Sequence, residues 1–333
     1  MRSLVLTAPR TLEVLERDSP PLAWGEVRLA VEAVGICGSD VHGYAESTTR
    51  RPIGVVMGHE IVARVAELAP GSELSLGTRV AVNPVIACGE CRACREGRDN
   101  LCKNRRIHGT VVGYDGGFAT ELVMPAANCV PVDPAADLRG VALVEPMAVG
   151  IHAVRLSDVR AGDRVVIVGG GPIGIACAIG VLDAGAHPII SESKAHRRAL
   201  AEELGAETCD PDELAGFGPE ADLAFECGGR GSAVVAAMAG VRPGAAVICV
   251  GYGETEITIP VVPLVMEERR LIGSSAYTAE DYRQTAAMVA ARADRLAGIV
   301  GLSAGLDDLP EVFEGLATRR IPATKALYVP GER

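Results

Sequence analysis

The chain has 333 residues, 48% of them apolar, with a formal net charge of -11 and a mean hydropathy of +0.24. That length and apolar content fit a folded protein of two domains, each large enough for its own core, and exclude intrinsic disorder. The acidic balance, with no Lys/Arg run longer than a pair, leaves no electrostatic footprint for nucleic acid or an anionic membrane.

The first residues, MRSLVLTAPRTLEVLERDSP, turn charged before an apolar segment of signal-peptide length can form, so a cytoplasmic protein is expected. From residue 1 to about 146 the pattern is short β-branched runs such as EVRLAVEAV and TRVAVNPVI, broken by Gly and Pro and lacking a long helical period. This predicts a β-rich lobe with loops. Inside it, GICGSDVHGY places Cys37, Ser39, Asp40 and His42 in one short turn, and VVMGHEIVARV supplies His59 and Glu60. A thiolate, an imidazole and carboxylates together suit a metal, and a catalytic zinc takes about three protein ligands while keeping one position open. Arg50 and Arg51, shortly before His59, read as a solvated basic pair, the other reading being recognition of a substrate phosphate or carboxylate.

The segment CGECRACREGRDNLC carries Cys88, Cys91, Cys94 and Cys102 in a C-x2-C-x2-C-x7-C spacing. Four thiols so spaced reach one tetrahedral Zn2+ at about 2.3 Å each, leave no position open for chemistry, and so staple a lobe of about residues 85–105. A disulfide cluster is the alternative, disfavoured by the cytosolic character of the rest of the chain. His108, and His152 beyond it, read as satisfied structural histidines.

From about 147 to 275 strands alternate with Ala-rich helices (RVVIVGG, IGIACAIGVLDAGA, HPIISES, HRRALAEELGA, ADLAFECGG, SAVVAAMAGVR, AAVICVGYG), which predicts βαβ units and a parallel sheet. Gly169-x-Gly171-x-x-Gly174 follows the first of these strands and opens the first helix, the context in which such glycines cradle a pyrophosphate. Val165 to Leu182 is uncharged for 18 residues, yet its glycines and Pro172 argue for strand, turn and helix over a membrane span. Glu192, 21 residues after Gly171, is placed to accept from ribose hydroxyls and to favour NAD; Lys194, Arg197 and Arg198 beside it would suit the extra phosphate of NADP. His187 and His196 look like surface residues, and Cys129, Cys177, Cys209, Cys227 and Cys249 like buried free thiols. The apolar run ITIPVVPLV is a candidate for pairing between subunits, and the tail reads as two helices, AEDYRQTAAMVAARA and LPEVFEGLATRR, with a final strand KALYVP.

Taken in order, Cys37-Gly38-Ser39-Asp40 with His42, Gly58-His59-Glu60, the four-cysteine segment, DGGFATELVMP, Glu145-Pro146 and the glycine turn resemble the zinc-dependent alcohol dehydrogenases of the medium-chain dehydrogenase/reductase superfamily, over nearly the whole chain. Glu145-Pro146-Met147-Ala148-Val149 is similar to the sorbitol and threonine dehydrogenase branch. The resemblance implies an α/β fold in which a GroES-like β-rich catalytic domain, residues 1–146 and 276–333, is interrupted by a doubly wound Rossmann domain, residues 147–275. It implies two Zn2+ per chain. One would be catalytic, held by Cys37 and His59 with Glu60, Glu145 or both, directly or through water; the other would be structural, held by Cys88, Cys91, Cys94 and Cys102.

It further implies NAD, with NADP possible, bound by Gly169, Gly171, Pro172, Ile173, Gly174, Glu192, Arg197, Val250, Ser274 and Ser275, and a proton relay through Ser39 and His42. The reaction implied is hydride transfer between a secondary alcohol and NAD(P), giving the ketone, in a homodimer or homotetramer. Ala63 and Thr78 depart from residues common in relatives, but neither is a metal ligand. With aromatic residues at only 3%, a polyol, sugar derivative, cyclitol or amino alcohol suits the chain better than a bulky aromatic alcohol. A simple alcohol or a biosynthetic intermediate is the alternative substrate. A zinc-free quinone reductase would leave Cys37, His59 and the cysteine lobe without purpose, and a non-catalytic zinc-binding interaction protein would need only that lobe.

Overall fold

The computed structural model describes residues 1–46, 51–217, 220–251 and 253–332. They form two compact units, Met1–Glu145 together with Thr278–Arg333, and Pro146–Tyr277.

In the first unit a seven-stranded sheet runs in the order Val300–Ala304, Lys325–Tyr328, Glu26–Ile36, Glu60–Leu68, Arg79–Val82 and Cys129–Pro131, with Glu121–Pro125 also paired to Glu26–Ile36. The first pair is parallel and the other neighbours are antiparallel. Glu26–Ile36 shows why: Val27, Leu29 and Val31 alternate inward, as a half-buried strand requires, while Ala33 to Ile36 are all buried where the strand runs beneath other elements. The core gathers Leu29, Met57, Ile61, Met124 and Phe313, with the Phe118 ring edge-on to Phe313 at 5.6 Å and to Tyr328 at 6.5 Å. Residues from both ends of the chain therefore share one core. The two expected tail helices are Ala279–Ala290, started by a Thr278/Asp281 capping box, and Leu309–Ala317.

The second unit holds a six-stranded, all-parallel sheet in the order Glu207–Cys209, His187–Ser191, Arg164–Val168, Ala221–Glu226, Val241–Cys249, Arg270–Gly273. Alternate residues serve opposite faces. Val165, Ile167, Ile190 and Phe225 pack with Cys177 and Val181 of the helix Pro172–Asp183; Val166, Ile189, Ala224 and Val247 pack with Val234 and Met238 of the helix Gly231–Gly240. Read in chain order the strands lie 3-2-1-4-5-6, so the topological switch point falls at the end of Arg164–Val168, where ligands bind in open α/β sheets. Val165 to Leu182 is thus strand, turn and helix, and no helix among the described residues is long and apolar enough to cross a membrane.

Candidate metal and cofactor sites

Gly89 and Gly97 take φ of 75° and 73°, backbone that L side chains rarely adopt, and turn the loop so that Cys88, Cys91, Cys94 and Cys102 point together. Their sulfurs lie 3.5 Å (Cys91 to Cys94), 4.0 Å (Cys88 to Cys94) and 3.4 Å (Cys102 to Cys88) apart. A tetrahedron with Zn–S bonds of about 2.3 Å has sulfur–sulfur edges of about 3.8 Å. All four are free thiols, well beyond the roughly 2.05 Å of a disulfide, so the disulfide alternative is set aside. Backbone N–H groups of Glu90 and Cys91 draw the Cys88 thiol down to about 6, whereas burial and the Cys91 sulfur push Cys94 up to about 12. Four sulfurs this close cannot all be anionic without a cation between them, and the donor set fits zinc.

The second cluster stands at one end of the first unit's sheet, where the ligand atoms of Cys37, His59 and Glu60 lie within 4.8 Å of one another. Cys37 precedes the helix Gly38–Glu46, which replaces the short turn expected there. Asp40 in that helix is wholly buried and stands outside the ligand cluster: its Oδ1 faces His59 Nδ1 at 3.4 Å. An aspartate offers no donor, so the Nδ1 proton points to Asp40 and the Nε2 lone pair is left for a metal. Burial opposes the Asp40 charge, but His59 and Arg51 overcome it and hold the carboxyl down at about 2. Burial likewise disfavours a charged His59, yet Asp40 and Cys37 raise its proton affinity well above the ordinary value; a metal at Nε2 competes with that proton.

Glu60 is held from the far side. Lys325 Nζ donates to both of its oxygens at 2.7 Å and to the Ile36 carbonyl at 3.2 Å, with lysine and glutamate both almost fully buried. Lys325–Tyr328 and Glu60–Leu68 flank Glu26–Ile36, and Gly35 sits directly opposite Glu60. A Cβ at Gly35 would collide with the Glu60 carboxylate, so the missing side chain is what lets the pair meet. Glu145, in the first turn of Val144–Leu156, stands outside the cluster but close enough for its charge to act on Lys325. Ser39 is half-buried and His42 exposed on the same helix, three residues apart. Thiol, imidazole and carboxylates form the donor set of a catalytic zinc, so the residues fit the metal.

In the second unit the three glycines of the turn divide the work of a dinucleotide cradle. Gly169 takes φ 106°; a Cβ on Gly171 would meet only Arg197 Nη1 at 3.8 Å, leaving room for a ligand; a Cβ on Gly174 would collide with the Gly169 carbonyl. Gly171 is the N-cap of the helix Pro172–Asp183, Pro172 and Ile173 open it, and no side chain caps its first N–H groups. Glu192 follows the second strand and is buried, with Oε2 accepting from Gly170 N at 3.0 Å and Oε1 from Lys194 N at 2.9 Å. Burial alone would raise its pKa, but those N–H groups and Arg197, whose Nη1 lies 3.5 Å away, lower it and keep the carboxylate charged. Arg198 is committed to the Glu192 carbonyl at 2.6 Å and to Asp210. Arg197 Nε and Ser274 Oγ are shielded from water and lack partners, as expected of groups awaiting a polar ligand. Val250 is buried, its N–H donating to the Glu226 carbonyl, and Ser275 follows Ser274 beyond the strand Arg270–Gly273.

The remaining expectations divide. Arg50 lies outside the described residues, and Arg51 is no solvated cation: it is 4% exposed and paired with Asp40 at 2.7 Å. The run ITIPVVPLV leads into a helix, Val261–Met266, with Val261, Val262, Val265 and Met266 exposed. His108 is a satisfied structural histidine, its Nδ1 on the Asp115 carbonyl at 2.8 Å, and His187 and His196 are exposed. Cys129, Cys177 and Cys209 are buried, Cys227 and Cys249 half-buried. Sequence reading did not single out Lys325, and took Arg51 only as a solvated or substrate-facing cation, not as the partner of Asp40. A lysine opening the otherwise apolar strand KALY was the readable signal for one; nothing local distinguished Arg51 from a surface basic residue.

Comparison with known proteins follows the same division. Residues 23–134 match the family described as alcohol dehydrogenase GroES-like domain, and residues 172–291 the family described as zinc-binding dehydrogenase. L-galactonate-5-dehydrogenase of Escherichia coli is 32% identical over 300 residues, covering 87% of each chain. The structure of L-idonate 5-dehydrogenase from Escherichia coli superposes with a TM-score of 0.90 at 28% identity, covering 98% of this chain and 97% of that one. A zinc-binding dehydrogenase from Sinorhizobium meliloti, bound to NADP, gives a TM-score of 0.90 at 30% identity over 99% of both chains.

Two outcomes are expected. Replacing Cys94 with Ser should remove about one zinc per chain by atomic absorption and lower the melting temperature; a Cys94→Ser protein with wild-type zinc content would show the four thiols hold none. Lys325→Met should cost about 3–5 kcal/mol in denaturant unfolding, because it strands a buried carboxylate, and adding Glu60→Gln should recover much of that loss.

Proposed function

Because the chain belongs to the zinc-dependent alcohol dehydrogenases of the medium-chain dehydrogenase/reductase family, on its sorbitol-dehydrogenase-like branch, we propose that it interconverts a secondary alcohol of a polyol or sugar acid and the corresponding ketone, with NAD(P) as the hydride partner. The observation that carries this reading is the convergence of Cys37, His59 and Glu60 ligand atoms within 4.8 Å. Sugar-acid dehydrogenases among the relatives support the substrate class.

When bound, zinc polarises the alcohol oxygen and the nicotinamide accepts the hydride. Everything else falls to the chain. Cys37 Sγ and His59 Nε2 hold the metal, with Asp40 fixing the imidazole. Lys325 donates to both Glu60 oxygens, and Glu60, Glu145 or both would complete the set, directly or through water. Ser39 would take the alcohol proton as it releases its own, which leaves toward the exposed His42 and solvent. Gly169, Gly171 and Gly174 with the helix N-terminus receive the pyrophosphate. The buried, charged Glu192 supports a preference for NAD over NADP, whose 2′-phosphate it would repel.

We place the enzyme in the cytoplasm, a reading supported by its ten free cysteines. The exposed apolar face of Val261–Met266 supports a homodimer or homotetramer.

Absorbance at 340 nm should rise when the zinc-loaded protein meets a polyol or hexonate with NAD. Cys37→Ala should abolish it, and Glu192→Ala should narrow the ratio of kcat/KM for NAD over NADP. Silence across polyols, hexonates, cyclitols and amino alcohols, with zinc and cofactor bound, would reject the substrate class. Light scattering should show an oligomer that Val262→Asp weakens; a monomeric wild type would reject the assembly.

A further inference from the structure

We infer that Arg51 is a positioning residue that ties the back of the metal site to the relay hydroxyl, one guanidinium holding both Asp40, the partner of His59, and Ser39. The inference rests on the dehydrogenase reading above for the role of Ser39, and on geometry alone for the metal side.

Arg51 Nε donates to Asp40 Oδ1 at 2.8 Å, and Nη2 lies 2.7 Å from that same oxygen. Nη2 also donates to Ser39 Oγ at 2.9 Å and comes within 3.5 Å of His59 Nδ1. A planar fork does this; a lysine ammonium, a single point charge, does not span the same acceptors. With Arg51 filling one Ser39 lone pair, the hydroxyl keeps one lone pair and its own proton, the minimum a relay needs to accept on one side and donate on the other. The same nitrogen fixes the carboxylate that orients His59. Metal-ligand orientation and proton exit therefore share one cation.

The fold makes room for it. A Cβ at Gly43, one helical turn after Ser39, would collide with the Arg51 stem, so the helix Gly38–Glu46 carries a gap where the arginine lies. Arginine is 4% exposed here and Asp40 fully buried. Such pairs add little net stability over apolar packing, so stability is a weak reason for building one beside a metal ligand.

The test is Arg51→Lys, which keeps a cation for Asp40 but loses the fork. Read-outs are melting temperature, zinc affinity by chelator competition, and steady-state kinetics, each also in a Ser39→Ala background. The variant is expected to fold, to bind zinc about 10-fold to 100-fold more weakly, and to lose kcat with KM for the cofactor unchanged. In Ser39→Ala, Arg51→Lys should weaken zinc as before but reduce kcat no further once zinc is saturating. Wild-type zinc affinity in Arg51→Lys overturns the metal side, and kcat losses that multiply in the double variant overturn the link to Ser39. A wild-type protein silent on every alcohol would sink the dehydrogenase reading, while the zinc competition would still decide the metal side. If Arg51→Lys does not fold, Asp40→Asn/Arg51→Met removes both charges together; zinc affinity equal to wild type in that variant overturns the proposal.

Discussion

An ammonium and a carboxylate, both nearly excluded from water, meet at 2.7 Å across a strand that carries no side chain at the crossing point. Each charge alone would be costly in that interior; together, with the Ile36 carbonyl taking a further donor, they are satisfied. Lys325 and Glu60 are 265 residues apart in sequence, so the pair forms only when the end of the chain returns to the sheet. The returning segment brings Val300–Ala304, Lys325–Tyr328 and the Phe313 ring, and with them much of the first unit's core. The same returning segment thus supplies part of that core and the partner of Glu60.

The same rule governs the other buried carboxylate. Asp40 is matched by Arg51 as Glu60 is matched by Lys325, so two anions beside the metal position are already neutralised by permanent or strongly favoured cations. On the proposed reading, the charges of Cys37 and Glu145 are the ones that would answer a metal directly. A site with few uncompensated anions retains more of the metal's positive field for the substrate oxygen, which is where a dehydrogenase needs it. On that reading, two salt bridges that contribute little net stability over apolar packing would shape the field at the metal position.

The cofactor unit works by a different economy. Its sheet is apolar on both faces, and its functional end is made of backbone: a glycine with positive φ, one with an open flank, one pressed against a carbonyl, and a helix start without a side-chain cap. Glu192 accepts from the N–H groups of Gly170 and Lys194 with its two oxygens, so it shapes the turn. Ser274 Oγ and Arg197 Nε are among the shielded polar atoms of this unit that lack a hydrogen-bond partner.

What could be read from the sequence was local. The four-cysteine spacing implied one sulfur cluster, the glycine turn implied its strand and helix, and strand–helix alternation implied a parallel sheet, because in each case the partners lie within a few tens of residues and backbone geometry alone brings them together. Membership in the family was legible for the same reason, through short motifs in fixed order. The roles of Asp40, Arg51 and Lys325 were not. Arg51 looks like a surface residue beside Arg50, and Lys325 like the start of an ordinary strand; burial and partner are properties of strand register and of a gap left by Gly43 or Gly35, which no single segment encodes. Local chemistry was determined by the sequence itself, and the pairing of distant charges was decided only by the tertiary structure, because a buried charge has no meaning until the chain that must neutralise it has arrived.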